Sequence, residues 1–134
     1  MNMKDFVERV QHSADLPSRK EAERWSVVVL TSLSHLLPNS ETRRHFRSQL
    51  PGRLKSRLLD EPPRSLLLNR DAFLQHLGSA LGTHAPGAET ALGAVYGVLK
   101  QAVSEGEIAH FEAHIPEDIA ALLERSVRAA VEPV

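Results

Sequence analysis

The feature that most constrains this chain is that one pattern is written in it twice. Phe6, Val7 and Val10 recur as Phe73, Leu74 and Leu77, and Ala22-Glu23 recurs as Ala88-Glu89. Val29 and Leu33 return as Val95 and Leu99, and His45-Phe46 returns as His110-Phe111. Gln49-Leu50-Pro51, with Leu54 and Leu58 behind it, matches His114-Ile115-Pro116, Ile119 and Leu123. Two one-residue slips aside, order and spacing persist from residues 6–58 into 73–123, which reads as an internal duplication. Two copies are too few for a solenoid, so the units 1–62 and 63–134 are expected to close one shared core. Together they suit one compact domain of 134 residues. The linker between them, about Asp60–Leu68, contains Pro62-Pro63, which cannot continue a helix.

Each unit predicts four helices. The first, about Lys4–His12, gathers Phe6, Val7 and Val10 on one face. Ser18-x-x-Glu21 has the form of a capping box, with Ser18 accepting from backbone amides and Glu21 reaching back. Behind it Ala22, Trp25, Val29, Leu33 and Leu36 recur every three or four residues, which places Trp25 in the core. Pro38-Asn39-Ser40 stops that helix and caps a third near Glu41–Ser48, and Pro51 suits the first position of a fourth. In the second unit Asn69 caps a helix carrying Phe73 to Leu81, and residues 82–87 form a loop. Ala88 to Val103 supply the next stripe, where Gly93-x-x-x-Gly97 would let a neighbouring helix approach. Ser104-x-x-Glu107 is a second capping box, and Pro116-Glu117-Asp118 opens the last helix with carboxylates at its positive end. No segment alternates with period two, so the fold class is all-α: two tandem four-helix repeats packed into one bundle-like domain.

Composition agrees. Aromatics are 4% against 42% hydrophobic residues, so the core must be mostly Leu, Val and Ala. There is no cysteine, hence no disulfide, thiolate metal site or cysteine nucleophile. The opening MNMKDFVERV has no signal-peptide stretch, and apolar runs such as Val27–Leu30 and Leu66–Leu68 are too short to span a bilayer. A cytoplasmic location without membrane contact is expected. The net charge of −1 divides unevenly: 11 Lys and Arg against 8 Asp and Glu in residues 1–62, and 5 against 9 in 63–134.

The Asp5-Phe6-x-x-x-Val10 opening, the Ala-Glu-rich second helix and Gln49-Leu50-Pro51 resemble the bacterial family catalogued as domain of unknown function 2267. Phe73-Leu74, Val98-Leu99, Ser104-Glu105-Gly106-Glu107 and Ile115-Pro116 extend the resemblance over nearly the whole chain. His114 departs from it, standing where a second Gln would pair with Gln49. The resemblance implies a duplicated helical fold in a bacterial cytoplasmic protein and carries over no catalytic residue.

Two constellations stand out. Glu107, His110 and His114 share a helix face at three- and four-residue spacing, as metal ligands could, although the capping box already explains Glu107 and a zinc site would need a fourth ligand. The basic run Arg43, Arg44, Arg47, Arg53, Lys55 and Arg57 contains no acidic residue and could meet an acidic partner. Phosphates are a weaker match, since only Phe46 interleaves and the repeat assigns it to the core. The basic run could also face Glu105, Glu107, Glu112, Glu117 and Asp118 of the second unit, within one chain or between two. No Gly-x-Ser-x-Gly, Walker or His-Glu-x-x-His pattern occurs, so no catalytic residue and no cofactor are expected. The favoured reading is a non-enzymatic module that binds another protein or a second copy of itself. A metal- or ligand-binding groove between the repeats is the alternative, and weak nucleic-acid binding through the basic run comes third.

Overall fold

Five helices start at a Ser or Asn whose side chain takes an amide that the helix itself cannot satisfy. Asn2 accepts from the Asp5 amide at 2.8 Å and opens α1 (Met3–Ser13); Ser18 accepts from the Glu21 amide at 3.1 Å and opens α2 (Arg19–Ser34). Asn39, Asn69 and Ser104 do the same for α3 (Ser40–Ser48), α5 (Arg70–Leu81) and α7 (Glu105–Glu112). The remaining helices are α4 (Gly52–Lys55), α6 (Ala85–Ala102) and α8 (Glu117–Val131). This computed structural model describes residues 1–58 and 69–131, so the linker and the boundary between units lie outside the described residues. The protein is all-α, with two tandem sets of four helices and no strand among the described residues.

Several local expectations are corrected. The two Ser-x-x-Glu boxes form only halfway: Glu21 turns to Arg24 and Trp25, and Glu107 crosses to another helix, so neither reaches back. The reciprocal box is at Asn39 and Thr42. Pro51 caps α4 instead of entering it, and α4 is a single turn. Residues 85–87 belong to α6, because Gly82 closes α5 in the left-handed region at φ 77° and Pro86 fits a first helical turn. Trp25 is half-buried, its indole Nε1 donating to Glu21 at 3.0 Å.

The packing follows the duplication. α1 lies on α2 as α5 lies on α6; α1 also meets α6 as α5 meets α2, and α2 and α6 face each other. α1 touches α4 as α5 touches α8. Exchanging the units therefore maps most helix contacts onto one another. The closest pair, α6 with α8, has no described counterpart, because residues aligned with most of α8 fall after Leu58. One cluster of buried side chains draws on both units, from Phe6, Leu30 and Leu54 to Phe73, Leu99 and Leu123. Ala22 and Ala88 are fully buried at matching positions of α2 and α6. Their neighbours Glu23 and Glu89 each pair with an arginine of the last segment of their own unit, Arg57 and Arg125. The repeated Ala-Glu is thus a packing position followed by a tether.

Candidate functional site

The repeat brings its own equivalents face to face where α3 meets α7. Phe46 and Phe111 stack with ring centroids 4.9 Å apart and form the floor. One residue back, His45 and His110 meet edge to face at 5.0 Å. His45 Nε2 lies 2.7 Å from the Glu107 carboxylate, a bond between the two units. His110 also packs on His114 at 4.6 Å, and His114 Nδ1 donates to the His110 carbonyl at 2.7 Å. Two of the three suspected ligands are therefore held by hydrogen bonds, and His45 joins them from the other unit. Among the described residues no three His, Asp or Glu groups are placed to hold one metal ion. The groove above the rings, lined by Leu37, Gln49, Leu50 and Val103 among others, spans about 390 Å³ with the adjoining solvent included. Space for water centres is only about 20 Å³, enough for a water or so and far below a small-molecule pocket.

A second polar group lies where α6, α7 and α8 converge. Tyr96, fully buried, donates its hydroxyl to Glu112 at 2.7 Å, and Lys100 Nζ is 3.2 Å from Glu124. Burial, reinforced by the neighbouring Glu124 carboxylate, pushes the Glu112 carboxyl above the usual range despite Tyr96 and Lys100. Burial would also raise Glu124, but a hydrogen bond from Glu112, together with Lys100 and Arg128, holds it lower. Burial first, and then the bond to Glu112, raises the Tyr96 phenol. Sequence reasoning missed this group because its members lie on three helices; the only Tyr, set within the apolar stretch Ala91–Leu99, was the available signal.

The basic run does not act as one surface. Arg43 is half-buried and donates to the Leu37 carbonyl at 3.2 Å, closing the turn after α2. Arg57 is tied to Glu23, and Arg47 also has a partner. Arg44, Arg53 and Lys55 are exposed and make no ion pair among the described residues. The anticipated contact between basic and acidic helices occurs within the chain, where His45 of α3 meets Glu107 of α7. Met1 is the one exposed large apolar side chain among the described residues, and no described helix is long and apolar enough to cross a membrane.

No curated protein matches this sequence. The family model described as uncharacterised conserved protein DUF2267 matches residues 3–122, nearly the full chain, in keeping with the ordered motifs and the duplicated helical fold. The chain belongs to the DUF2267 family.

Proposed function

We propose that this protein is a binding module that engages another protein through the positively charged surface of its first unit. The observation that carries this reading is the division within the basic run: Arg44, Arg53 and Lys55 remain exposed and unneutralised in a chain whose net charge is −1. Large apolar side chains are withdrawn from the described surface, so affinity would come from charge and hydrogen bonding, with a fast, salt-sensitive encounter. The groove between α3 and α7 supports a ligand less well, because it offers only water-sized space and two of its histidines are already engaged, His45 with Glu107 and His114 with the His110 carbonyl. Nucleic acid is also a poorer fit, since Trp25 is half-buried and Tyr96, Phe46 and Phe111 are buried, leaving no described aromatic platform for bases.

The test is recovery of cell-lysate proteins on the immobilised chain. A partner held by the wild type should be lost with Arg44→Glu/Arg53→Glu/Lys55→Glu and kept with Arg43→Ala. Identical recovery by wild type and triple variant would refute the proposal.

A further inference from the structure

The duplication permits the two units to be compared at one corner, the start of the first helix against the start of the fourth. In the second unit Asn69 caps α5 and the next amide, that of Arg70, donates to the Asp118 carboxylate of α8 at 2.8 Å. The α5 N-terminus thus holds an anion supplied by its own chain, as its dipole favours. In the first unit Asn2 caps α1 in the same way, and Met3 is the counterpart of Arg70. The repeat alignment, through Pro51 with Pro116 and Leu54 with Ile119, places Arg53 opposite Asp118. Where one unit presents a carboxylate, the other presents a guanidinium.

The neighbourhood changes sign with it. Asp71 becomes Lys4, Glu117 becomes Gly52, and Arg19 joins from the start of α2. Asn2, Met3, Lys4, Arg19, Gly52 and Arg53 line an open groove of about 750 Å³ with no acidic residue among them. Lys4, Arg19 and Arg53 are all exposed and without ion-pair partners among the described residues. The acidic residues at the start of α1 point elsewhere: Asp5 and Glu8 line a separate groove against α6.

We infer that this corner is a carboxylate-binding site for an acidic segment of a partner protein, which supplies from outside the group that Asp118 supplies inside the second unit. This rests on the surface reading above and narrows it to one groove and one ligand chemistry. A carboxylate side chain would sit at the Met3 amide, flanked by Lys4, Arg19 and Arg53. A peptide is favoured over a nucleic acid because the corner offers the spacing of one internal carboxylate and no ring on which a base could stack.

Fluorescence anisotropy with a labelled peptide of about ten alternating Asp and Glu residues tests it, against an Asn/Gln peptide and a single-stranded DNA of equal charge. The acidic peptide should bind at low salt and weaken as salt rises, and the neutral peptide should not bind. Arg53→Asp recreates the internal carboxylate. It should reduce peptide affinity about tenfold or more while raising the melting temperature by about 2–4 °C. Lys4→Ala/Arg19→Ala should weaken the peptide without raising the melting temperature. Folded Arg53→Asp that binds as the wild type does would overturn the inference, as would tighter binding of the DNA. Should peptide fail to bind while size-exclusion shows self-association that Arg53→Asp abolishes, the occupant is a second copy and the assignment to a separate partner fails. Arg44→Glu/Lys55→Glu separates the two proposals. If it leaves peptide binding intact while Arg53→Asp abolishes it, the corner stands without the wider surface. The reverse result retains the surface and removes the corner.

Discussion

Two glycines one helical turn apart on α6 should respond to the same substitution with opposite signs. A methyl group on Gly93 would stand 2.2 Å from the Ser126 carbonyl oxygen and 2.8 Å from its carbon, well inside van der Waals contact. The obstacle is backbone, so α8 as a whole must retreat by about 1 Å, and a gap of that size forfeits roughly a quarter to a half of each lost contact's attraction. α8 carries Ile119, Leu122 and Leu123, all essentially fully buried, so the loss is distributed over the core. Overpacking typically costs about 1–3 kcal/mol, and a backbone clash belongs at the upper end; replacing glycine in a helix returns up to about 1 kcal/mol. Gly93→Ala should therefore destabilise by about 2 kcal/mol. At Gly97 the added methyl meets only Val127, at an ordinary 3.8 Å, so Gly97→Ala should stabilise by up to about 1 kcal/mol. Urea titrations followed by circular dichroism, with equal m-values, would resolve the difference, and melting temperatures should separate by roughly 10 °C. Shifts in the same direction, or Gly93→Ala as stable as the wild type, would refute the close-approach argument.

Three further outcomes follow from the buried polar groups. Ser126 is buried with an unpartnered hydroxyl, so Ser126→Ala should be neutral or stabilising by about 1 kcal/mol in the same titration. Arg43→Ala should lower stability by about 1 kcal/mol through the lost bond to the Leu37 carbonyl, and calorimetric melting would detect it. Because Glu112 titrates above the ordinary value of 4.5, its contribution is fully present below that pH and is lost as pH rises through the raised one. Glu112→Gln keeps an acceptor for Tyr96, so it should melt above the wild type at neutral pH, with the advantage vanishing in acid. A constant difference across pH would show that the carboxyl is not perturbed.

Much of the architecture was legible because helix signals are local. Ser18, Asn39, Asn69 and Ser104 mark helix starts through bonds that span three residues, and the buried Phe6-Val7-Val10 and Phe73-Leu74-Leu77 faces follow from periodicity; the Asn2 cap of α1 emerged only in the structure. The errors arose where a local pattern met a competing partner, near in sequence for Glu21 and on another helix for Glu107. Glu21 and Glu107 fit capping boxes, yet Arg24, Trp25 and His45 offered their carboxylates a charged or fixed donor. The basic run looked uniform, but Arg43 and Arg57 found acceptors in their own unit.

By itself the sequence determined an all-helical chain in two like units, since periodicity and capping depend on neighbours three and four residues away. Only the tertiary structure decided which equivalents meet. It set His45 against His110, closed α8 onto Gly93, and gathered Lys4, Arg19 and Arg53 at one corner. Those juxtapositions join residues from different helices, and burial of the shared apolar face, acting without regard to sequence distance, selects them.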